Sequence, residues 1–530
     1  IIRMALVLFL LAAASTFGQV EAPKEAVQWT RWELKHQTRT APEDPYSMKF
    51  EARFHGPAGE RIEAPGFYAG SGSFRVRVAF PSPGAWTWET FCDQPKSGLD
   101  RRRGRVHVRR YTGENPLYRH GFVTVRPGSR YLTHTDNTPF LWMGDTAWYA
   151  GVKAPPGEWA EYLACRARQR FSAIHIAAVR GLKDAAGPLP FDASGRPEPA
   201  YWDNLDGKVR EANARGLLIL MVGLGRPNTP GEIPYVSRPE FARYVAARFF
   251  GDHIVFSPNF DDLYKPVYDT VAENLRAVTT LHLITQHPGT RKGQNEIYLP
   301  KPYLSFTGLQ SGHHRGRLEL TYGAAREWPL NLWASAPVRP VLNIEAMYDG
   351  RGNDEGEGWR EKDARKLGWI SWLSGALGYT YGAGEGMGNV PGTHGGVWRW
   401  SQVESAHDYW RKAIAWKSAA QMTVLRDFFA SIEWWRLEPA HQVVAEPAPS
   451  NLERAVFAWS ADRSFGVAYT PQRKLALDLA RFPGPVEAVW IDPRSGARSP
   501  VAGRLPNRGT HHFDPPGEGE DWALLLRAAQ

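Results

Sequence analysis

Glu345 closes the apolar run Pro340-Val341-Leu342-Asn343-Ile344, and Asp261-Asp262 follow a second run, His253-Ile254-Val255-Phe256, after a short Ser-Pro-Asn-Phe link. A carboxylate directly after an apolar strand is costly to bury without a purpose. Two of them across one pocket are what hydrolysis of an acetal needs. One protonates the leaving oxygen; the other attacks the anomeric carbon or activates water. Glu345 reads otherwise as half of a salt bridge at the strand end. Asp261 and Asp262 are neighbours, so one faces the pocket and the other suits a cap before a helix starting at Lys265. Carboxyl groups about 5–5.5 Å apart would mark a retaining enzyme, and roughly 6.5–9.5 Å an inverting one.

Other polar groups end similar runs: Asp145 and Trp148 after Phe140-Leu141-Trp142-Met143, His287 after Leu281–Ile284, Gln310 and His313 after Tyr303–Phe306, and Tyr381 on Gly378–Tyr381. Asp145 reads either as a helix cap or as an inward group for sugar hydroxyls. His287 and His313 read either as neutral core imidazoles or as sugar contacts. No metal or cofactor is expected. The pairs His313-His314 and His511-His512 lack further ligands at zinc spacing. The run Asn353-Asp354-Glu355-Gly356-Glu357 lacks calcium-loop spacing and reads as a solvated loop. No GxGxxG, P-loop or GxSxG occurs.

The elements that must position these groups alternate between about 131 and 440. Eight apolar runs, the last being Gly378–Tyr381, are separated by segments with helical spacing such as Ala160/Leu163/Ala164/Ala167 and Val267/Val271/Leu275/Val278. Continuous apolar strands belong to a parallel sheet covered on both faces. Eight such units predict an α/β fold, a (β/α)₈ TIM barrel over 113–440 whose chemistry sits at the strands' C-terminal ends. A doubly wound open sheet is the alternative. Residues 23–112 and 441–530 instead alternate with period two between Gly/Pro turns, as in Met48–Phe54 and Phe74–Phe80, and predict an N-terminal and a C-terminal β-sandwich. Residues 1–20 read as a signal peptide: Arg3 precedes the apolar run Met4–Ala14, too short to span a bilayer, and small residues follow. The expected location is periplasmic or extracellular, with no membrane span.

Composition narrows the partners. Lys+Arg 64 against Asp+Glu 55 gives +9 in 530 residues. Much of the excess lies in Asp100–Arg110, whose alternation suits a solvated strand face better than a nucleic-acid site. The two cysteines, Cys92 and Cys165, fall in different predicted domains, so no disulfide framework is expected. The 22 Trp are the unusual number. Trp86, Trp88, Trp459 and Trp490 fall in sandwich strands and read as core. Trp148, Trp398 and Trp400 follow barrel strands, where stacking on a sugar ring is favoured.

Four segments, Phe140–Trp148, Leu309–His313, Pro340–Glu345 and Gly378–Gly382, together resemble the apiosidase-like glycoside hydrolases. The resemblance implies a (β/α)₈ barrel with a C-terminal β-domain, often with an N-terminal sandwich. It also implies an Asp acid/base after strand 4 and a Glu nucleophile after strand 7, which map onto Asp261 and Glu345; Asp262 is the alternative acid. The family's Trp-x-x-Gly-Gly-Asp is here Phe256-Ser257-Pro258-Asn259-Phe260-Asp261. Bulky Phe260 is expected to reshape the adjoining subsite, so the substrate need not be apiose-linked. The expectation is an exported, retaining glycoside hydrolase for a plant or microbial polysaccharide, with Asp145, Trp148, His287, Gln310, His313, Tyr381 and Trp398 holding the sugar. The alternatives are a related endo-glucanase and a carbohydrate-binding or adhesion protein without catalysis.

Overall fold

The computed structural model describes residues 20–179, 188–225, 234–291, 293–312, 317–351, 361–384, 396–400 and 409–529. The signal-like run Met4–Ala14, His313 and the acidic run 353–357 lie outside them. Two compact units divide between Arg110 and Tyr111.

In the first unit, strands follow the hydrogen-bonded order Val20–Glu21, Arg31–Gln37, Ser73–Ala79, Arg61–Tyr68, Phe50–His55, Gly84–Cys92, Arg103–Arg109 and Glu25–Val27. Period-two patterning sets their faces. Along Arg103–Arg109, Val106 and Val108 are buried while Arg103, Arg105, His107 and Arg109 are exposed, which is the solvated face the sequence predicts. Trp32 packs edge-on against Phe54 and Phe80, and Trp86 and Trp88 are buried beside them, so these indoles fill core.

The second unit is built on eight parallel strands: β1 (Trp142–Thr146), β2 (Ala173–Ala177), β3 (Leu218–Val222), β4 (Ile254–Phe256), β5 (Leu283–Ile284), β6 (Thr307–Gln310), β7 (Val341–Glu345) and β8 (Ala376–Tyr381). Their order is β5-β4-β3-β2-β1-β8-β7-β6, a curled sheet of the TIM-barrel type. Every residue of these strands is buried, as a parallel sheet covered on both faces requires. The sixth run is displaced. Tyr303–Phe306 leads up to β6, because Arg276 ties the Tyr303 carbonyl and the Ser305 hydroxyl beneath it.

The outer layer contains α1 (Pro156–Arg168), α2 (Pro199–Ala214), α3 (Pro239–Arg248), α4 (Pro266–Val278), α5 (Leu318–Ala334), α6 (Glu361–Leu373) and α7 (Lys417–Ala430). Between β5 and β6 the described residues form a 3₁₀ turn, Glu296–Tyr298, and no α-helix. Pro288, Gly289, Gly293, Pro300 and Pro302 punctuate that stretch too often for one. The buried face of α1 is Trp159, Tyr162, Leu163 and Arg166. It is turned from the face predicted through Ala160 and Ala164, because Tyr162 and Arg166 reach a carboxylate on β1.

After the barrel, six antiparallel strands run in the order Leu437–Pro439, Val456–Ser460, Phe465–Thr470, Trp522–Ala528, Val486–Ile491 and Arg498–Pro500; a separate pair joins Leu475–Asp478 to Thr510–Phe513. Trp459 and Trp490 sit in their core. Arg365 of α6 makes a two-pronged bond to Asp521, at 2.7 and 2.9 Å, and Trp369 stacks on Tyr469. This β-domain therefore packs directly on the barrel's helical layer.

Candidate active site

Glu345 owes its direction to a bulge. Leu309 pairs with Asn343, but Gln310 pairs with Glu345, so Ile344 is an extra residue on β7. Strict alternation would send Glu345 to the side of Asn343, whose amide bonds Ser371 of α6. The extra residue re-aims it, as bulges beside active sites do. Its carboxylate, 4% exposed, lies against Tyr348 and His287: Oε1 accepts from the Tyr348 hydroxyl at 2.5 Å, and Oε2 is 3.2 Å from His287 Nε2.

His287 connects this carboxylate to Asp261. Beyond β4 and β5 the two chains stay paired: the Asp261 N–H donates to the His287 carbonyl at 3.0 Å and approaches His287 Nδ1 at 3.2 Å. The Asn259 side chain accepts the His287 N–H at 2.8 Å. A ring nitrogen that accepts a bond carries no proton. The His287 proton is thereby assigned to Nε2, the atom facing Glu345. Asp261 itself is exposed and has φ 47°, a left-handed conformation that Asp adopts more readily than most residues.

Asp262 has structural employment. One oxygen accepts from the Leu263 N–H at 2.8 Å; the other accepts from Tyr268 at 2.8 Å and pairs with Lys265 at 2.9 Å. Phe260 is 2% exposed and packs on Trp148 and His287 at ring distances of 4.6 and 5.1 Å. It walls the histidine from behind instead of projecting into a subsite.

Several expected sugar contacts are placed otherwise. Asp145 is fully buried on the helix side of β1, where Oδ2 accepts from Tyr162 and from Arg166, both at 2.6 Å. Burial would lower the Arg166 pKa, but the Asp145 charge more than offsets it and holds the guanidinium protonated. Tyr381 pairs with Asp145 across β1 and β8 and faces the same way, bonding Ser418 of α7 at 2.6 Å. Both join strands to helices. Trp148 is 2% exposed, and Trp400 is stacked on Trp410 while its N–H bonds Glu158. Neither indole offers an open face. The structure does bring His287 and Gln310 beside Glu345, and Trp398 beside Tyr348. Gln310 Oε1 is buried with no partner among the described residues, beside the strand position that carries Glu345. Trp398 lies 5.8 Å from the Tyr348 ring. Asn259 and Tyr348 carry no signal of their own in the sequence. Only their closeness in the chain to Asp261 and Glu345 marks them.

His175 on β2 is buried beside Trp142 and Trp148; burial, helped by His287, pushes it well below its ordinary value, so it stays neutral. Among the described residues no three His, Cys, Asp or Glu side chains gather as metal ligands.

Asp349 anchors the loop after Glu345. Its backbone pairs with Gly382 and Gly384, and its side chain accepts from Ser418. Burial pushes its pKa up to about 6. The unfolded value is about 3.9, so the native state holds the extra proton between those limits. The Asp349 contribution to stability is therefore full below about pH 4 and is lost as pH rises through about 6, a change on the order of 3 kcal/mol. Asp349→Asn should raise the melting temperature at pH 8 and leave it unchanged or lower at pH 4. A variant no more stable than wild type at pH 8 would refute this.

Residues 126–436 match the family described as apiosidase-like, catalytic domain. Residues 25–93 match a domain of unknown function, DUF5060, and 439–527 a domain proposed to bind collagen in a collagenase. No curated protein matches the sequence. Among solved structures, one described only as a glycoside hydrolase is 21% identical with TM-score 0.69, over 79% of this chain and 99% of its own. A family 5 glycoside hydrolase from Bacteroides vulgatus ATCC 8482 is 19% identical with TM-score 0.69, over 79% and 95%. A proposed glycoside hydrolase from the same organism reaches TM-score 0.72 at 15% identity, over 95% and 100%. Identities this low speak for the shared fold. In the described residues no helix is long and apolar enough to cross a membrane.

Proposed function

Because this chain belongs to the apiosidase-like family of glycoside hydrolases, we propose that it is exported and cleaves a plant or microbial polysaccharide with retention of configuration. The observation that carries the reading is the single imidazole of His287, whose Nδ1 lies 3.2 Å from the Asp261 backbone N and whose Nε2 lies 3.2 Å from Glu345 Oε2. Asp261 gives its proton to the glycosidic oxygen as that C–O bond breaks, while a Glu345 oxygen bonds the anomeric carbon. In the second step Asp261, now a carboxylate, takes a proton from water, and the water oxygen displaces Glu345. The bonds of Asp262 to Tyr268 and Lys265 favour Asp261 as the acid. His287, Gln310 and Trp398, with His313, are the residues we assign to the sugar.

The test is a panel of plant and bacterial polysaccharides, read by released reducing ends and by the anomeric configuration of the first product. Retained product supports the assignment. An inverted product would make Glu345 a base for water. Binding without reducing ends on any member would favour an adhesion protein.

A further inference from the structure

Tyr348 lies in the loop between β7 and α6 and is 1% exposed. Its hydroxyl donates to Glu345 Oε1 at 2.5 Å and accepts from the Trp148 indole at 2.6 Å. An indole N–H can only donate. With that bond filling an acceptor position on the phenol oxygen, the phenol proton is directed to the carboxylate, and the chain Trp148 to Tyr348 to Glu345 has one direction. Both aromatic members are held in place. Trp148 packs against Phe260 at 4.6 Å and His287 at 5.1 Å, and Tyr348 lies under Trp398 at 5.8 Å.

We propose that Tyr348, oriented by Trp148, is the positioning residue of Glu345: the relay fixes one carboxylate oxygen and favours the ionised form that attacks the sugar. Trp148 serves this relay in place of sugar stacking. The proposal rests on Glu345 being the nucleophile. A hydroxyl donating to a carboxylate is a charge-assisted bond, roughly twice as strong as a neutral one, and it stabilises the anion against its acid. Burial, with the Glu345 charge beside it, keeps the Tyr348 phenol well above 10, so it remains a donor throughout the working range. Among the described residues, the other charged or titratable groups seen beside this relay are His287 from the end of β5 and His175 from β2, near Glu345, and Arg351, whose guanidinium lies 5.7 Å from the Tyr348 ring. All three remain in a Tyr348 variant, so a change in Glu345 behaviour there reports the lost hydroxyl.

The relay is tested in nitrogen-15-labelled protein by following the Trp148 indole resonance, identified by its loss in Trp148→Phe. In wild type it should lie downfield and titrate with Glu345. The titration should vanish in Glu345→Gln and in Tyr348→Phe. In parallel, the acid limb of the kcat/KM profile, on whichever panel polysaccharide is cleaved, should move up by about one pH unit in Tyr348→Phe, with kcat/KM at the optimum down about 10–100-fold. Trp148→Phe should move the limb the same way by less. An indole that titrates in Tyr348→Phe, or an acid limb that stays at its wild-type position in a folded variant, overturns the relay. If Glu345→Gln still turns over, the nucleophile assignment itself falls. A dead Glu345→Gln beside an unmoved limb in Tyr348→Phe removes only the relay.

Discussion

Glu345→Ala should abolish turnover and leave the fold intact. The substitution removes the oxygen that forms the bond to carbon, and its neighbours cannot replace it. The Tyr348 phenol stays protonated, and His287 directs its Nε2 proton toward the vacated place. Removing an attacking nucleophile in other hydrolases costs about 10⁶-fold in kcat, so a loss of at least about 10⁴-fold is expected here. The stability change should be small because two effects oppose. The variant leaves the Tyr348 hydroxyl short of an acceptor, worth about 1–3 kcal/mol, but it also relieves a carboxylate buried to 4% exposure. Reducing-end assays with a thermal melt check both halves. A folded Glu345→Ala within about tenfold of wild type would end the assignment, because no uncatalysed route is that fast.

Much of this architecture is visible in the chain before folding, and the reasons are local. Parallel strands buried on both faces must be apolar throughout, so the barrel announces itself as runs such as Leu218–Val222. The sandwiches announce themselves by period two, as in Arg31–Gln37, which alternates half-buried with buried along its whole length. End-of-run position also marks Asp261, His287 and Glu345, which the structure brings together through the His287 ring. It cannot say which way a side chain points. On β1 alternation holds: Trp142 joins the lumenal core and Asp145 turns to α1. On β7 alternation fails, because Ile344 is inserted against β6. A bulge depends on pairing with a distant strand and leaves no mark in one sequence. Tyr348 and Trp148 are illegible for a related reason. Their bond joins residues 200 positions apart; Trp148 alone reads as a sugar-stacking indole at a strand end, and Tyr348 as one more aromatic residue beyond the next carboxylate.

Asp261→Asn should divide substrates by their leaving groups. Asn suits the position, since it tolerates the left-handed φ of 47° as Asp does, whereas Ala there would add about 1–2 kcal/mol of backbone strain. The amide cannot deliver a proton. On a natural polysaccharide, whose sugar alkoxide leaves only when protonated, turnover should fall by about 10²–10⁴-fold. On an aryl glycoside with a strongly acidic phenol the first step needs no acid, so it should be nearly unimpaired. The second step, which needs Asp261 as base, should then limit the rate, and a glycosyl-enzyme should accumulate. Azide needs no base; it should restore turnover on the aryl glycoside and give a glycosyl azide of retained configuration. The basic limb of the pH profile should vanish with the acid. Asp262→Asn supplies the contrast. It loses the ion pair with Lys265 and weakens the bond from Tyr268, so it should lower the melting temperature while changing kcat less than about tenfold. Equal losses of kcat/KM for the two substrate types in Asp261→Asn, or the larger loss in Asp262→Asn, would transfer the acid/base role away from Asp261.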